Sequence, residues 1–318
     1  MEKVLVTGAT GYIALHCIKQ LLDKGYAVNG SIRSPERKNE VIDALKKCNT
    51  STENLNLFNF DLTSDEGWDE GMQGCDYLLH IASPLALQNY EEDYFVKPAV
   101  EGAMRALNFA KKHNVKKVVL TSSVAAIFET GTEKVFYDEN DWSDPNSSKI
   151  SNYAKSKTLA EKAAWDFVEQ ENNPFEFTVI NPALVIGPSL SGDLGVSNTA
   201  IEMVVTGKMP VAIPIQFGFV DVRDVASAHV LAMENKSSNG ERFALAECDL
   251  WYKDIAKLLR ENGFKKAPTF AVPVWLAKIM ANFNQQLKVT APYLVVREQL
   301  EMIHKIFLSI WLAHYIHR

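Results

Sequence analysis

Cysteine is scarce in this chain. Cys17, Cys48, Cys75 and Cys248 are the only four among 318 residues, and they form no Cys-x-x-Cys pair and stand at no spacing that would hold a metal with histidine. A disulfide-stapled fold and a zinc site are thereby excluded, and the four read as buried thiols in a reducing compartment. An excess of one charge is missing too: 33 basic and 39 acidic side chains leave a net charge of −6 with the signs interleaved, which is no electrostatic footprint for nucleic acid or an anionic membrane. No apolar run approaches the ~18 to 20 residues of a membrane span. The chain opens directly on a strand, which leaves no room for a cleaved signal, so cytoplasm is the expected compartment. There are no internal repeats, and no Gly-x-Ser-x-Gly elbow of the kind a serine hydrolase needs.

What is present is enough apolar material, 47% of the residues, to bury the core of one large domain plus a lobe. Val4, Leu5 and Val6 form a strand that runs into Gly8-x-x-Gly11-x-x-Ala14 and then into a helix whose apolar stripe is Ile13, Cys17, Ile18, Leu21 and Leu22. Gly8 allows the tight turn, Gly11 lets the backbone approach a pyrophosphate, and Ala14 is small enough for helix-on-strand packing. The helix N-terminus offers N–H groups and partial positive charge to the anion. This glycine spacing is weak evidence alone; its strand-loop-helix context raises it.

The next strand, 27 to 32, ends on Ser31-Ile32-Arg33-Ser34-Pro35-Glu36-Arg37-Lys38. A carboxylate at that position would hold the ribose 2′-hydroxyl of NAD, and here there is none. Arg33 and Arg37, with Lys38 beside them, can instead clamp a 2′-phosphate, so the expected cofactor is NADP(H). The competing reading makes Arg37 and Lys38 the solvated first turn of the following helix, which leaves Arg33 as the firmer candidate.

Strands and helices alternate through the first 180 residues. Runs at 55 to 60, 77 to 81 and 117 to 120 read as strands, and 35 to 47, 64 to 73 and 90 to 113 as helices, which predicts an α/β fold built on a parallel, doubly wound sheet. Ligands in such sheets lie outside the C-terminal strand ends. Asp61, Ala82, Ser83 and Ser123 all fall at that edge, in one crevice with the glycine loop.

The catalytic candidate opens a helix at Ser151-Asn152-Tyr153-Ala154-Lys155-Ser156-Lys157. Of the ten tyrosines only Tyr153 has a lysine four residues on, one helical turn away on the same face. Ser123 at the preceding strand end completes a Ser-Tyr-Lys constellation. Reduction of a carbonyl builds negative charge on oxygen, which must receive a proton, and a phenol serves as the acid if Lys157 and the oxidised nicotinamide lower its pKa. Ser123 is expected to hydrogen-bond the developing alkoxide, with Lys157 also holding the nicotinamide ribose. His80 and His229 read as hydrogen-bonded core or helix residues.

Together Thr7-Gly-x-x-Gly11-x-x-Ala14, Thr121-Ser-Ser123, Tyr153-x-x-x-Lys157 and Asp221-Val-Arg-Asp224 resemble the extended short-chain dehydrogenase/reductases. Gly30-Ser-Ile-Arg33, His80-Ile-Ala-Ser-Pro84, Pro98-Ala-Val-Glu-Gly102, Asn181-Pro-Ala-Leu-Val-Ile-Gly-Pro188 and Gly240-Glu-Arg-Phe243 narrow the likeness to the dihydroflavonol reductase, cinnamoyl-CoA reductase, and aldehyde and ketone reductase branch. It covers about residues 1 to 260. The resemblance implies a Rossmann domain over 1–180, with a segment near 217–247 returning to it, and a mainly substrate-binding lobe over 181–318. It implies NADPH-dependent reduction of an aldehyde or ketone, with Ser123, Tyr153 and Lys157 catalytic. The cofactor would meet Thr7, Gly8, Gly11, Tyr12, Ile13, Arg33, Arg37, Lys38, Asp61, Leu62, Ala82, Ser83, Ser122, Tyr153, Lys157, Pro182, Ala183 and Val185. Ser83, Pro84, Val124, Ser197 and Phe217 would border the substrate. A lobe pocket rich in Phe217, Phe219, Pro273, Val274 and Trp275 points to an apolar or aromatic small-molecule carbonyl. A nucleotide-sugar epimerase or dehydratase, which would retain NAD, and a non-enzymatic NADP sensor are the alternatives; Arg33 argues against the first and the intact triad against the second.

The resemblance fades over 294–318. Ile303, Ile306, Phe307, Ile310 and Trp311 would form one apolar helical face and Leu308, Leu312 and Ile316 another. A shifted reading frame after about Tyr293 would produce such a tail, and a dimerising or lipid-facing helix is the other explanation. His304, His314 and His317 stand at no ligand spacing. Monomer and homodimer both remain open.

Overall fold

The structure, a computed structural model, describes residues 1–83, 92–129, 134, 137–148 and 150–281. In chain order the elements are β1 (Lys3–Val6), α1 (Tyr12–Asp23), β2 (Ala27–Ile32), α2 (Lys38–Lys47), β3 (Leu55–Asn59), α3 (Trp68–Met72), β4 (Tyr77–His80), α4 (Glu92–Lys112), β5 (Lys117–Thr121), α5 (Ala125–Phe128) and α6 (Asn152–Gln170). They continue with β6 (Glu176–Pro182), β7 (Leu184–Ile186), α7 (Gly195–Val205), β8 (Gln216–Asp221), α8 (Val222–Glu234), β9 (Arg242–Leu245), β10 (Cys248–Trp251), α9 (Tyr252–Glu261) and α10 (Val274–Ala281).

Seven strands form one parallel sheet in the order β3-β2-β1-β4-β5-β6-β9. The chain winds outward from β1 through β2 and β3, then crosses back to lay β4, β5 and β6 on the other side. The crevice between β1 and β4 is therefore the topological switch point, where this architecture leaves room for a ligand.

Side-chain alternation explains why both faces are covered. Val4 and Val6 of β1 join the core beneath α1 and α8, whereas Leu5 points the other way into the core beneath α4 and α6. In β5 Val119 sides with the first core, and Val118 and Leu120 with the second. Continuous apolar runs are what a sheet buried on both faces demands. On α1 the stripe is wider than its apolar spacing predicts: Tyr12, Leu15 and His16 are buried as well, while Ile13 and Leu22 are only partly so. The second flank is covered by α8 and by the segment after β7, where the Pro188 carbonyl lies 2.9 Å from His16 Nε2 and Gly195 approaches the Tyr12 ring.

A smaller three-stranded sheet, β10-β8-β7, stands at the C-terminal edge over its own core of Val204, Ile213, Ile215 and Tyr252. The returning segment is divided between the two sheets. β8 stays in the small one, and α8 and β9 rejoin the large one.

Candidate active site

The glycine loop follows the end of β1. Gly8 has φ +72°, a left-handed conformation that costs other residues energy, and a Cβ there would stand 3.1 Å from the Cβ of Ala82. Gly8 N–H donates to Ser31 Oγ at 2.8 Å, and Ala9 N–H to the Ser31 carbonyl at 2.8 Å. Ser31, which sequence reasoning did not single out as a site residue, thus pins the loop to the end of β2. Gly11 caps α1 without any side chain, so the first-turn N–H groups stay available to an anion. A cradle that a Cβ would fill and an uncapped helix start fit a dinucleotide's pyrophosphate.

Thr7 plays a different part from the cofactor contact expected of it. It is fully buried, and its Oγ1 accepts the N–H groups of Ile81 and Ala82 at 3.0 Å each while lying 3.1 Å from Nδ1 of His80. With both lone pairs occupied, the hydroxyl donates to Nδ1 and leaves the His80 proton on Nε2. Thr7 is a clasp that holds the β4 end, and with it Ala82 and Ser83, against the glycine loop. Burial, with the charge of Lys157, pushes His80 down to about 3, so the ring is neutral.

At the rim, Arg33 is exposed just beyond β2. Burial pushes the Asp61 carboxyl up, but hydrogen bonds from Thr63 and the Arg33 charge outweigh this and hold it below its ordinary value. Leu62 is half-buried, its carbonyl bound by Arg105. Arg37 departs from the expected clamp: its guanidinium makes two bonds of 2.9 Å to the Glu40 carboxylate, one turn ahead. Lys38 is exposed at the start of α2.

The strand end of β5 presents Ser122 and Ser123, both buried. Ser122 N–H donates to the Ile180 carbonyl at 2.7 Å, and its Oγ, buried without a partner, lines a small cavity together with Ser83, His80, Lys157 and Glu161. An unsatisfied buried hydroxyl beside a lysine fits a polar ligand group at that place. Ser123 Oγ accepts from Ala125 N–H at 3.2 Å, and the Ser123 side chain is near enough to the Tyr153 phenol to lower its pKa.

Tyr153 reaches Ser123 because α6 is anchored at its start. Ser151 Oγ accepts the Ala154 N–H at 3.1 Å, and the Glu129 carboxylate accepts the Ser151 N–H at 2.7 Å. One turn on, Lys157 is buried, with Nζ 5.9 Å from the centre of the Tyr153 ring. Burial pulls Lys157 down to about 8 against the opposing pull of Glu161. For Tyr153, burial raises the phenol's pKa and Ser123 lowers it, with burial prevailing. With its pKa raised, Tyr153 rests as a protonated phenol.

The sheet's far side closes the crevice. The Pro182 carbonyl accepts the Val124 N–H at 3.1 Å, and Ala183 N–H donates to Leu245 O at 2.9 Å. Val185 and Tyr12 are buried in the same core, with Ile13 packed at its edge. Val124 is buried beside Ser123, and Ser197 is half-buried in the first turn of α7. Phe217 packs into the small lobe's core and edges Phe219 at 6.2 Å. Phe219 is buried and Trp275 is 62% exposed, so these aromatics occupy different environments instead of the shared pocket expected of them. Pro84 lies outside the described residues, as does the divergent 294–318. Among the described residues no group of three His, Cys, Asp or Glu could hold a metal, and no helix is long and apolar enough to cross a membrane.

Fold and crevice define a dinucleotide-binding α/β protein with a Ser-Tyr-Lys cluster at its sheet edge. The chain belongs to the NAD dependent epimerase/dehydratase family, whose model matches residues 4–246, and its relatives set it on the extended short-chain dehydrogenase/reductase branch. It is 40% identical over 265 residues to cinnamoyl-CoA reductase CAD2 of Medicago truncatula, across 81% of this chain and 80% of that protein. It is 35% identical over 284 residues to a putative NADPH-dependent methylglyoxal reductase, GRP2, of Candida albicans, across 81% and 82% of the two. Among solved structures it resembles the yeast methylglyoxal/isovaleraldehyde reductase Gre2 complexed with NADPH, with a TM-score of 0.73 and 30% identity over 84% of this chain and 85% of that one.

Proposed function

We propose that this protein is an NADPH-dependent reductase of a small aldehyde or ketone, apolar or aromatic in character, working in the cytoplasm. The observation that carries the reading is the convergence of Ser123, Tyr153 and Lys157 at the strand end beside the glycine loop. The relatives' names, reductases of cinnamoyl-CoA and methylglyoxal, supply the substrate class. The four cysteines, all free thiols, suit a reducing compartment.

Gly8, Gly11 and the start of α1 would hold the pyrophosphate, Arg33 the 2′-phosphate, and Lys157 with Ser122 the nicotinamide end. Bound NADPH supplies a hydride to the carbonyl carbon. Tyr153 gives its phenolic proton to the carbonyl oxygen, which becomes the alcohol. Ser123 donates a hydrogen bond to that oxygen as negative charge builds there, and does so from a backbone already fixed by Asn181 and Pro182, so that little reorganisation is needed. The Lys157 ammonium then offsets the charge left on the phenolate.

A panel of aromatic aldehydes, small dicarbonyls and flavonoid-like ketones, assayed with NADPH and separately with NADH, tests the reading. Turnover of at least one class with NADPH, at higher kcat/KM than with NADH, is expected. Tight NADPH binding with no turnover of any carbonyl would contradict it.

A further inference from the structure

Carbonyl reduction by Ser123, Tyr153 and Lys157 leaves one buried acid without a task. Glu161 is 1% exposed and sits one turn beyond Lys157 on α6, as Lys157 sits one turn beyond Tyr153. The three therefore line up along one helix face. Isolated buried carboxylates are costly unless paired, and this one is paired twice. Arg242 Nε, on β9, donates to Oε1 at 2.5 Å, and Asn181 Nδ2, on β6, donates to Oε2 at 2.8 Å. Arg242 is itself held: its Nη1 donates to the carbonyls of Glu139 at 2.6 Å and Asp141 at 2.8 Å, and its guanidinium lies 3.7 Å over the Trp142 ring. Asn181 Nδ2 also reaches the Ser123 carbonyl at 3.2 Å. One buried chain thus runs from the edge strand to both ends of the Ser-Tyr-Lys cluster.

We propose that Glu161, clamped by Arg242 and Asn181, is a positioning residue: the buried counterion that keeps Lys157 in its ammonium form beneath Tyr153. Glu161 and Lys157 line the same small cavity. The other described groups facing Lys157 bring no negative charge. His80 on β4 is neutral, β5 contributes the Ser122 hydroxyl, α4 contributes Ala99 and Ala103, and Tyr153 is a protonated phenol. Burial favours the neutral amine, and Glu161 opposes it. Arg242 faces Glu161 from the opposite side, with its Nε 2.5 Å from Oε1.

The proposal rests on the reductase reading, so its test includes a readout that needs no turnover. In the full-length, ligand-free protein, acylation of Lys157 by an amine-reactive reagent is followed by peptide mass spectrometry across pH, for wild type, Glu161→Gln and Glu161→Asp. In wild type the labelling is expected to rise around pH 8, where Lys157 loses its proton. With Glu161→Gln the rise moves about one pH unit or more toward acid, and Glu161→Asp restores part of it. The alkaline limb of kcat/KM for carbonyl reduction at saturating NADPH shifts in the same direction. A Gln variant that melts like wild type and keeps the wild-type labelling profile overturns the proposal. Arg242→Met, which removes the competing cation but leaves the acid, covers the case in which the Gln variant fails to fold; freed of Arg242, Glu161 holds the Lys157 ammonium more strongly and the labelling rise moves toward alkaline pH, and an unmoved profile again refutes the idea. If no carbonyl is reduced yet the labelling shifts, the reductase reading fails and the Glu161 assignment stands.

Discussion

Lys157 and Ser123 are buried at the β5–α6 end of the crevice, where the side chains around them are bonded several times over. Arg33 and Lys38 stand exposed at the β2 end, and Arg37 between them is occupied with Glu40. The same sheet edge carries both, but their physics differs. Inside, low dielectric and fixed geometry make each group's charge state consequential. At the rim, solvent screens the charges and each contact is worth little until a phosphate arrives. Chemistry should therefore be hard to alter without losing it, and cofactor preference comparatively easy to retune.

The largest effect should come from the buried end. Lys157→Ala removes both a cofactor contact and the cation beneath Tyr153, so kcat/KM should fall on the order of 100-fold or more, and weaker NADPH binding should be visible in a fluorescence titration. A loss confined to binding would mean that the lysine has no part in the proton transfer. In the wild type, reduction should decline as pH rises through about 8, because Lys157 then loses its proton.

Next comes the rim. Charge-assisted bonds to a phosphate are worth about 1.5 to 3 kcal/mol, so wild type should prefer NADPH over NADH by roughly tenfold or more, and Arg33→Asp should narrow or invert the ratio. Arg37→Ala should change it by less than about fivefold, since the guanidinium already satisfies Glu40. If the two substitutions prove equal, the Glu40 pairing does not divert Arg37 and the two arginines share the 2′-phosphate equally.

The smallest effect at neutral pH concerns stability. His80 and His229 are buried and neutral, held down to about 3 and about 4 from an ordinary 6.5. His229 accepts from the Thr121 hydroxyl at 2.7 Å and donates to the Val225 carbonyl at 2.7 Å. Their folded values lie below the unfolded one, so the unfolded chain takes up protons that the fold refuses, and stability present above about pH 6.5 is lost as pH falls toward the folded values. Chemical denaturation across that range should show the decline, with a shallower slope for His229→Gln.

Local patterns were legible in the sequence, and distant ones were not. The glycine loop, the alternation of elements and the Tyr153–Lys157 spacing all depend on neighbours within a turn or two. Glu40 lies three residues after Arg37 on a helical stretch, so that pairing was there to be read and was passed over. Glu161, Asn181 and Arg242 come together only because β6 and β9 are adjacent in the sheet and α6 packs above them. No spacing in a single sequence announces that. Ser31 was passed over and the stitching role of Thr7 was not foreseen, because which hydroxyl faces a ligand and which stitches two loops depends on strand register. The substrate lobe was read least well: aromatic composition does not say which rings its own core consumes.

The most direct measurement is the pair of constants for Tyr153→Phe with NADPH and a carbonyl that the wild type reduces. Removing one hydroxyl from a positioned acid should lower kcat by about two to four orders of magnitude while leaving the NADPH dissociation constant nearly unchanged. Turnover close to wild type in that variant would contradict the assignment of Tyr153 as proton donor.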